Sequence, residues 1–219
     1  MESIKNNVKE YEIICITDEN YKNYIQFPEW IEAKRKSGVI SRTLYSDLLR
    51  VSLLAKYGGI WLDSTFFCTS PCVKEYMSLP LWSIKRPDYG HISVACGYFA
   101  NYSLGCNYEN RWIFGAIRDF LYYYWKVNDR LIDYLLTDYV IVLVQRHNKE
   151  IAKVFDNIVS NNPDCDELYK ILSHPYDETI WKQISADTSL FKLSWKREFP
   201  RSSNGKETFY KKILDHTLH

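Results

Sequence analysis

The sequence predicts an α/β fold in which a mixed sheet is flanked by helices, all in one domain spanning residues 1–219. Three observations predict it. Apolar runs of strand length alternate along the chain with stretches of helical period. A chain of 219 residues with 46% hydrophobic and 25% charged residues is large enough, and apolar enough, to bury a full core. No internal repeat, low-complexity tract or linker rich in Gly, Pro or Ser divides it.

The first strand is expected over residues 11–16, read as buried, with a turn and helix cap in Thr17, Asp18, Glu19 and Asn20. Pro28 suits the first turn of a short helix running to Lys36, and Gly38 ends it. A longer helix over residues 41–57 carries a buried stripe of Leu44, Leu48, Val51 and Ala55. Gly58 and Gly59 stop it, and Ile60, Trp61 and Leu62 form an apolar strand ending at Asp63. Another strand is expected within residues 93–104, then helices over 110–127 and 131–147. The last third reads as short helices broken at Pro163 and Pro175, with one strand over 190–195. The sheet is expected to be mainly parallel, with the 41–57 helix packed on it.

Charge excludes one class of partner. Lys plus Arg is 28 and Asp plus Glu is 27, so no basic excess exists to draw a nucleic acid. No run of roughly eighteen apolar residues occurs, so no transmembrane segment is expected. The beginning of the chain lacks the apolar stretch of a secretory signal. The expected location is cytoplasmic. The six scattered cysteines read as reduced, buried hydrophobes.

The chemistry is concentrated in residues 46–65, SDLLRVSLLAKYGGIWLDST. Asp47 and Arg50 lie three apart on a helix, so they share a face and can hold one another. Asp47 is expected to be partly exposed there. The paired glycines allow a tight reversal and a close approach of backbone to a ligand. Asp63 ends an apolar strand, the edge at which ligands of open α/β sheets bind. Singly these are an intrahelical ion pair, a helix stop and an acidic strand end. In this order they resemble the glycosyltransferases that carry a DXD sugar-binding region, and within them the capsular polysaccharide synthesis proteins. Residues 12–20, 40–49, 83–87, 131–134, 174–177 and 191–196 extend the resemblance over most of the chain.

The resemblance implies a GT-A-like, Rossmann-like fold that transfers a sugar from a nucleotide-diphosphate donor, a UDP-sugar favoured, with retention of configuration. The acceptor would be a glycan or lipid-linked glycan in a capsular or other surface polysaccharide, with peripheral association at the inner face of a bacterial membrane left open. Relatives carry a strand upstream of the position of Met1, so the fold is expected to lack the family's first N-terminal strand. By position, Asp47 and Arg50 would hydrogen-bond the donor sugar, with Gly58, Gly59 and Trp61 beside it. Asp63 is the first acid of DXD and would be catalytic. With Thr65 it would hold Mn²⁺ or Mg²⁺, weakly, because Thr65 stands where the second acid would add charge. His174 would contact the donor phosphates, although a helix-ending turn explains it equally well.

Asp138 interrupts an otherwise apolar helix and is a candidate catalytic acid or base, or else a paired structural acid. Lys85 and Arg86 suit either a diphosphate contact or an exposed basic turn. The run Tyr122, Tyr123, Tyr124 and Trp125 points in all directions on a helix, so most of it is expected in the core. The alternative function is a non-catalytic or truncated remnant that binds a sugar nucleotide or an assembly partner. A hydrolase would need an acid pair across a glycan cleft, and the sequence identifies none.

Overall fold

The structure is a computed structural model that describes residues 2–87 and 93–218. Its centre is helix α3 (Arg42–Tyr57). Ser41 caps it by accepting the Leu44 amide. Two shorter helices precede it, α1 (Glu2–Asn7) and α2 (Glu29–Lys36). After it come strands β1 (Gly59–Leu62) and β2 (Phe66–Cys68), helix α4 (Val73–Met77) and strand β3 (Trp82–Ser83). Strand β4 (Ser103–Cys106) leads into helices α5 (Arg111–Val127), α6 (Leu136–His147) and α7 (Lys149–Asp156). The last third holds α8 (Glu167–Ile171), α9 (Glu178–Ser185), β5 (Leu190–Lys192), the small strands β6 (Ser202–Ser203) and β7 (Lys206–Glu207), and α10 (Phe209–Leu214).

The architecture is mixed α/β, as expected, but the sheets are small and antiparallel. The order β1-β4-β3 makes one sheet, β2 pairs with β5, and β6 with β7. The expectation of a mainly parallel sheet is therefore wrong. Parallel neighbours need a crossover of a dozen or more residues, usually a helix between two strands. Residues 11–16, which would supply the strand before α3, are unpaired, and Ile14 is 41% exposed. The β propensity of Ile13, Ile14 and Ile16 does not make a strand without a partner edge.

Side-chain alternation explains how the sheets divide the core. On β1, Trp61 packs into a cluster with α3, α5 and α6, while Ile60 and Leu62 pack into a second cluster with α1, Phe66 and Trp82. On the β2–β5 pair, Phe66, Cys68 and Leu190 join that second cluster, and Phe67 and Phe191 face a third with Trp181 and Phe209. Helix α3 packs chiefly against α5, through Leu44, Leu48 and Val51 on one side and Ile113, Phe114 and Ile117 on the other. Helix α6 begins five residues later than expected. Asp133 accepts the Leu135 amide in a turn, and Ile132 and Tyr134 remain exposed. Trp125 is buried, whereas Tyr123 is exposed, as the aromatic run required.

Gly58 closes α3 with φ +70° and ψ −148°, a region that is essentially glycine's alone. A Cβ there would also lie 3.0 Å from the Cys106 carbonyl oxygen, whereas one at Gly59 (φ +82°) would meet nothing within 4 Å. Gly58→Ala should therefore destabilise by about 3 kcal/mol and Gly59→Ala by only about 1 kcal/mol. Equal losses in chemical denaturation would contradict this packing.

Candidate functional site

Alternation on β1 carries past its end. Trp61 faces α3, and Asp63, two residues on, faces the same way. It meets Arg50 there. The Arg50 guanidinium donates from Nη1 to Asp47 Oδ1 (2.9 Å) and from Nη2 to Asp63 Oδ1 (3.1 Å). Its third acceptor is the Asn101 side-chain oxygen, from the loop before β4. Trp61 Nε1 donates to the same Asp63 oxygen at 3.0 Å, and its ring lies 5.4 Å from the guanidinium carbon. Thr137, in the first turn of α6, donates to Asp47 Oδ2 at 3.0 Å. Four separate parts of the chain thus meet in one network around this cation, three of them touching it, and Asp47, Arg50 and Asp63 meet at one place as expected.

Burial differs across this network. Asp47 and Arg50 are sealed, which corrects the expectation that Asp47 is partly exposed. Helix α3 is covered on nearly every side, so even its polar face lies under α6 and the loop before β4. Arg50 Nε is buried with no hydrogen-bond partner among the described residues. Asp63 is the open member, its side chain 31% exposed. Burial raises the Asp47 pKa above the usual carboxylate range, opposed by Arg50 and Thr137. Asp138 is pushed up to about 6 by burial and by Asp47. Asn101 Nδ2 lies 3.5 Å from its Oδ2, linking Asp138 to Arg50 through one side chain.

Lys192, at the end of β5, completes the open side. Register pairs it with Phe66, so its ammonium reaches the Thr65 hydroxyl, to which it donates, and stands 3.8 Å from Asp63 Oδ2. This bears on the expected metal. Asp63 and Thr65 fit Mn²⁺ or Mg²⁺ poorly, because such an ion, even with water and phosphate filling its other positions, needs ligand oxygens not already given to cations. Here one carboxylate oxygen serves Arg50 and Trp61, and the Thr65 oxygen serves an ammonium. Among the described residues no group of three or more His, Cys, Asp or Glu side chains could hold a metal ion.

The remaining candidates lie elsewhere. Gly58 and Gly59 are at the opposite end of β1 from Asp63, about 13 Å along the strand. His174 is exposed in a turn after α8, and its carbonyl accepts the Phe209 amide. Lys85 and Arg86 are buried, not exposed. Lys85 donates to the Asp156 carbonyl, and Arg86 pairs with Asp166 at 2.7 Å and with the Tyr102 hydroxyl. Sequence reasoning missed Asn101, Thr137 and Lys192. Only Lys192 left a signal, a charge between Phe191 and Leu193 in a strand otherwise apolar. A surface pocket beyond β5 is lined by Leu193, Trp195, Arg197, Phe199 and Tyr210 among others, and the Leu193 amide donates to the Thr65 carbonyl.

Fold and site together define a class: an α/β protein whose charged centre is a carboxylate–guanidinium network at the carboxyl end of a sheet strand. The chain belongs to the capsular polysaccharide synthesis protein family, whose sequence model matches residues 1–213. Membership gives it a role in capsule biosynthesis. Comparison with curated proteins and with solved structures finds no match. No described helix is long and apolar enough to cross a membrane.

Two neighbouring acids should respond oppositely to substitution. Asp47→Ala leaves a buried guanidinium short of one carboxylate and should cost about 3 kcal/mol of stability. Asp138 has a folded pKa above its unfolded value of 3.8. The folded state therefore holds an extra proton between about pH 4 and 6, and stability falls as pH rises through that window. Asp138→Asn removes this loss and should stabilise the protein by about 2 kcal/mol at pH 8 but scarcely at pH 4. Melting curves across that range are the check. A pH-independent gain, or a loss at pH 8, would contradict the assignment.

Proposed function

We propose that the protein is a glycosyltransferase that passes a sugar from a nucleotide-diphosphate donor, in the first instance a UDP-sugar, to a growing capsular or other surface polysaccharide. The transfer would retain anomeric configuration on a GT-A-like fold. The observation that carries the reading is the meeting of Asp47, Arg50 and Asp63 at the end of β1, in a chain of a capsule-synthesis family. Asp63 is the exposed acid of that network, so it is the member a ligand can reach.

The burial differences assign the roles. Asp63 faces the donor. Arg50, held by Asp47 and Asn101, is a positioning residue that fixes the Asp63 carboxylate, and Trp61 fixes it from the strand side. In the transfer the bond from the anomeric carbon to the diphosphate oxygen breaks, and the diphosphate leaves with the electron pair. The acceptor hydroxyl forms the new bond and gives up its proton. Asp138, linked to the Arg50 network through Asn101 and with its carboxyl pushed up to about 6, is assigned to accept that proton. The exposed Trp195 beyond β5, with Arg197 beside it, suits a glycan or lipid-linked glycan acceptor by stacking and charge.

One observation favours a second reading. Asp47 and Arg50 spend their hydrogen bonds on each other and on neighbours, as they would in a member that binds a sugar nucleotide or an assembly partner without turnover. Turnover of a panel of UDP- and GDP-sugars, hydrolysis included, separates the two. Asp63→Asn should lower turnover about a hundredfold, roughly 3 kcal/mol at the transition state, while moving the melting temperature little. If the parent protein consumes no donor with any acceptor glycan, the transferase reading falls and the binding reading replaces it.

A further inference from the structure

Two cations touch Asp63, and they differ in access. Arg50 is 5% exposed at its side chain and has its guanidinium divided among Asp47, Asn101 and Asp63. Lys192 is 21% exposed, at the open face of the same carboxylate. Only Lys192 can meet a ligand without dismantling the network. Its placement is built by the fold. Antiparallel register sets it opposite Phe66, and its ammonium lies 5.9 Å from the Phe66 ring centroid and 5.5 Å from that of Tyr102. The flexible stem is thereby confined, with the head held at Thr65.

The ammonium's hydrogen bonds are also incompletely used. Of its three donors, one goes to the Thr65 hydroxyl and one makes a long contact of 3.4 Å to the Leu193 carbonyl. The Asp63 carboxylate, 3.8 Å away, is within ion-pair reach but outside hydrogen-bond distance. A confined and partly exposed ammonium with donor capacity to spare is an anion site. It stands between Asp63 and Thr65, the two groups that would otherwise ligate a divalent ion.

We propose that Lys192 is the resident cation of this site, receiving the diphosphate of a bound nucleotide in place of a divalent metal. This rests on the nucleotide-sugar reading above. It adds that diphosphate binding needs no metal and that Lys192 discriminates a diphosphate from a monophosphate. The ammonium supplies a compact point charge, which suits phosphate oxygens.

Calorimetric titration of the whole chain with UDP, GDP and UMP, in EDTA and then with Mn²⁺, tests this. A nucleoside diphosphate should bind in EDTA, with affinity changed by less than about twofold when Mn²⁺ is added. Lys192→Met should weaken the diphosphate at least about tenfold and UMP much less, and Lys192→Arg should restore most of the difference. Diphosphate binding by the parent protein that requires Mn²⁺ would overturn the Lys192 proposal and leave the transferase reading standing. So would a folded Lys192→Met that binds the diphosphate as the parent does. The EDTA and Mn²⁺ comparison needs no variant, so it decides the matter even if Lys192→Met fails to fold. Absence of diphosphate binding under both conditions would remove the transferase reading, and this proposal with it.

Discussion

The structure turns on a buried guanidinium. A charge such as that of Arg50 cannot be left in the interior unpaired, because the desolvation cost amounts to several kcal/mol. Its partners therefore fix where four pieces of chain must lie. Asp47 comes from its own helix, Asp63 from the end of β1, Asn101 from the loop before β4, and Thr137 braces Asp47 from α6. The apolar clusters around α3 set the thickness of the molecule. The charge fixes the register of its parts, since displacing any one of them would leave a hydrogen bond unmade in a low-dielectric interior.

Three carboxylates surround that charge, and their environments give them different characters. Asp47 is buried and satisfied. Asp63 keeps one edge in solvent and is flanked by two cations. Asp138 is buried beside a like charge and so keeps its proton to a higher pH than an ordinary carboxyl. Acids of one chemical type separated in this way by burial and neighbours are the pattern from which acid and base roles are made. It arises here from burial and neighbours that only the fold supplies.

What the sequence revealed was local. Helix α3, its Gly58 stop, and the helical spacing of Asp47 and Arg50 depend on neighbours within a few residues, and they were legible. The failures are all questions of partnership. Residues 11–16 have the composition of a strand but no edge to pair with. The sheet's direction depends on which strands meet, and the burial of Asp47 on what α6 covers. Asn101 sits in a loop with no pattern at all, and Lys192 becomes interpretable only once β5 is known to lie beside β2. The meeting of Asp63 with Arg50 was readable because it needs only a helix, a reversal and a short strand.

The β2–β5 pair carries a consequence for how the molecule is made. Lys192 reaches Thr65 across 127 positions of sequence, whereas Asp47 and Arg50 find each other within one helical turn. During synthesis on the ribosome, the central helix and its ion pair can form early, but the open face of Asp63 stays incomplete until β5 emerges much later. Closing so long a loop is entropically slow, and the step comes late. An interrupted product would hold the buried half of the network without the residue that faces the ligand. Emergence of β5 is thereby coupled to completion of the site.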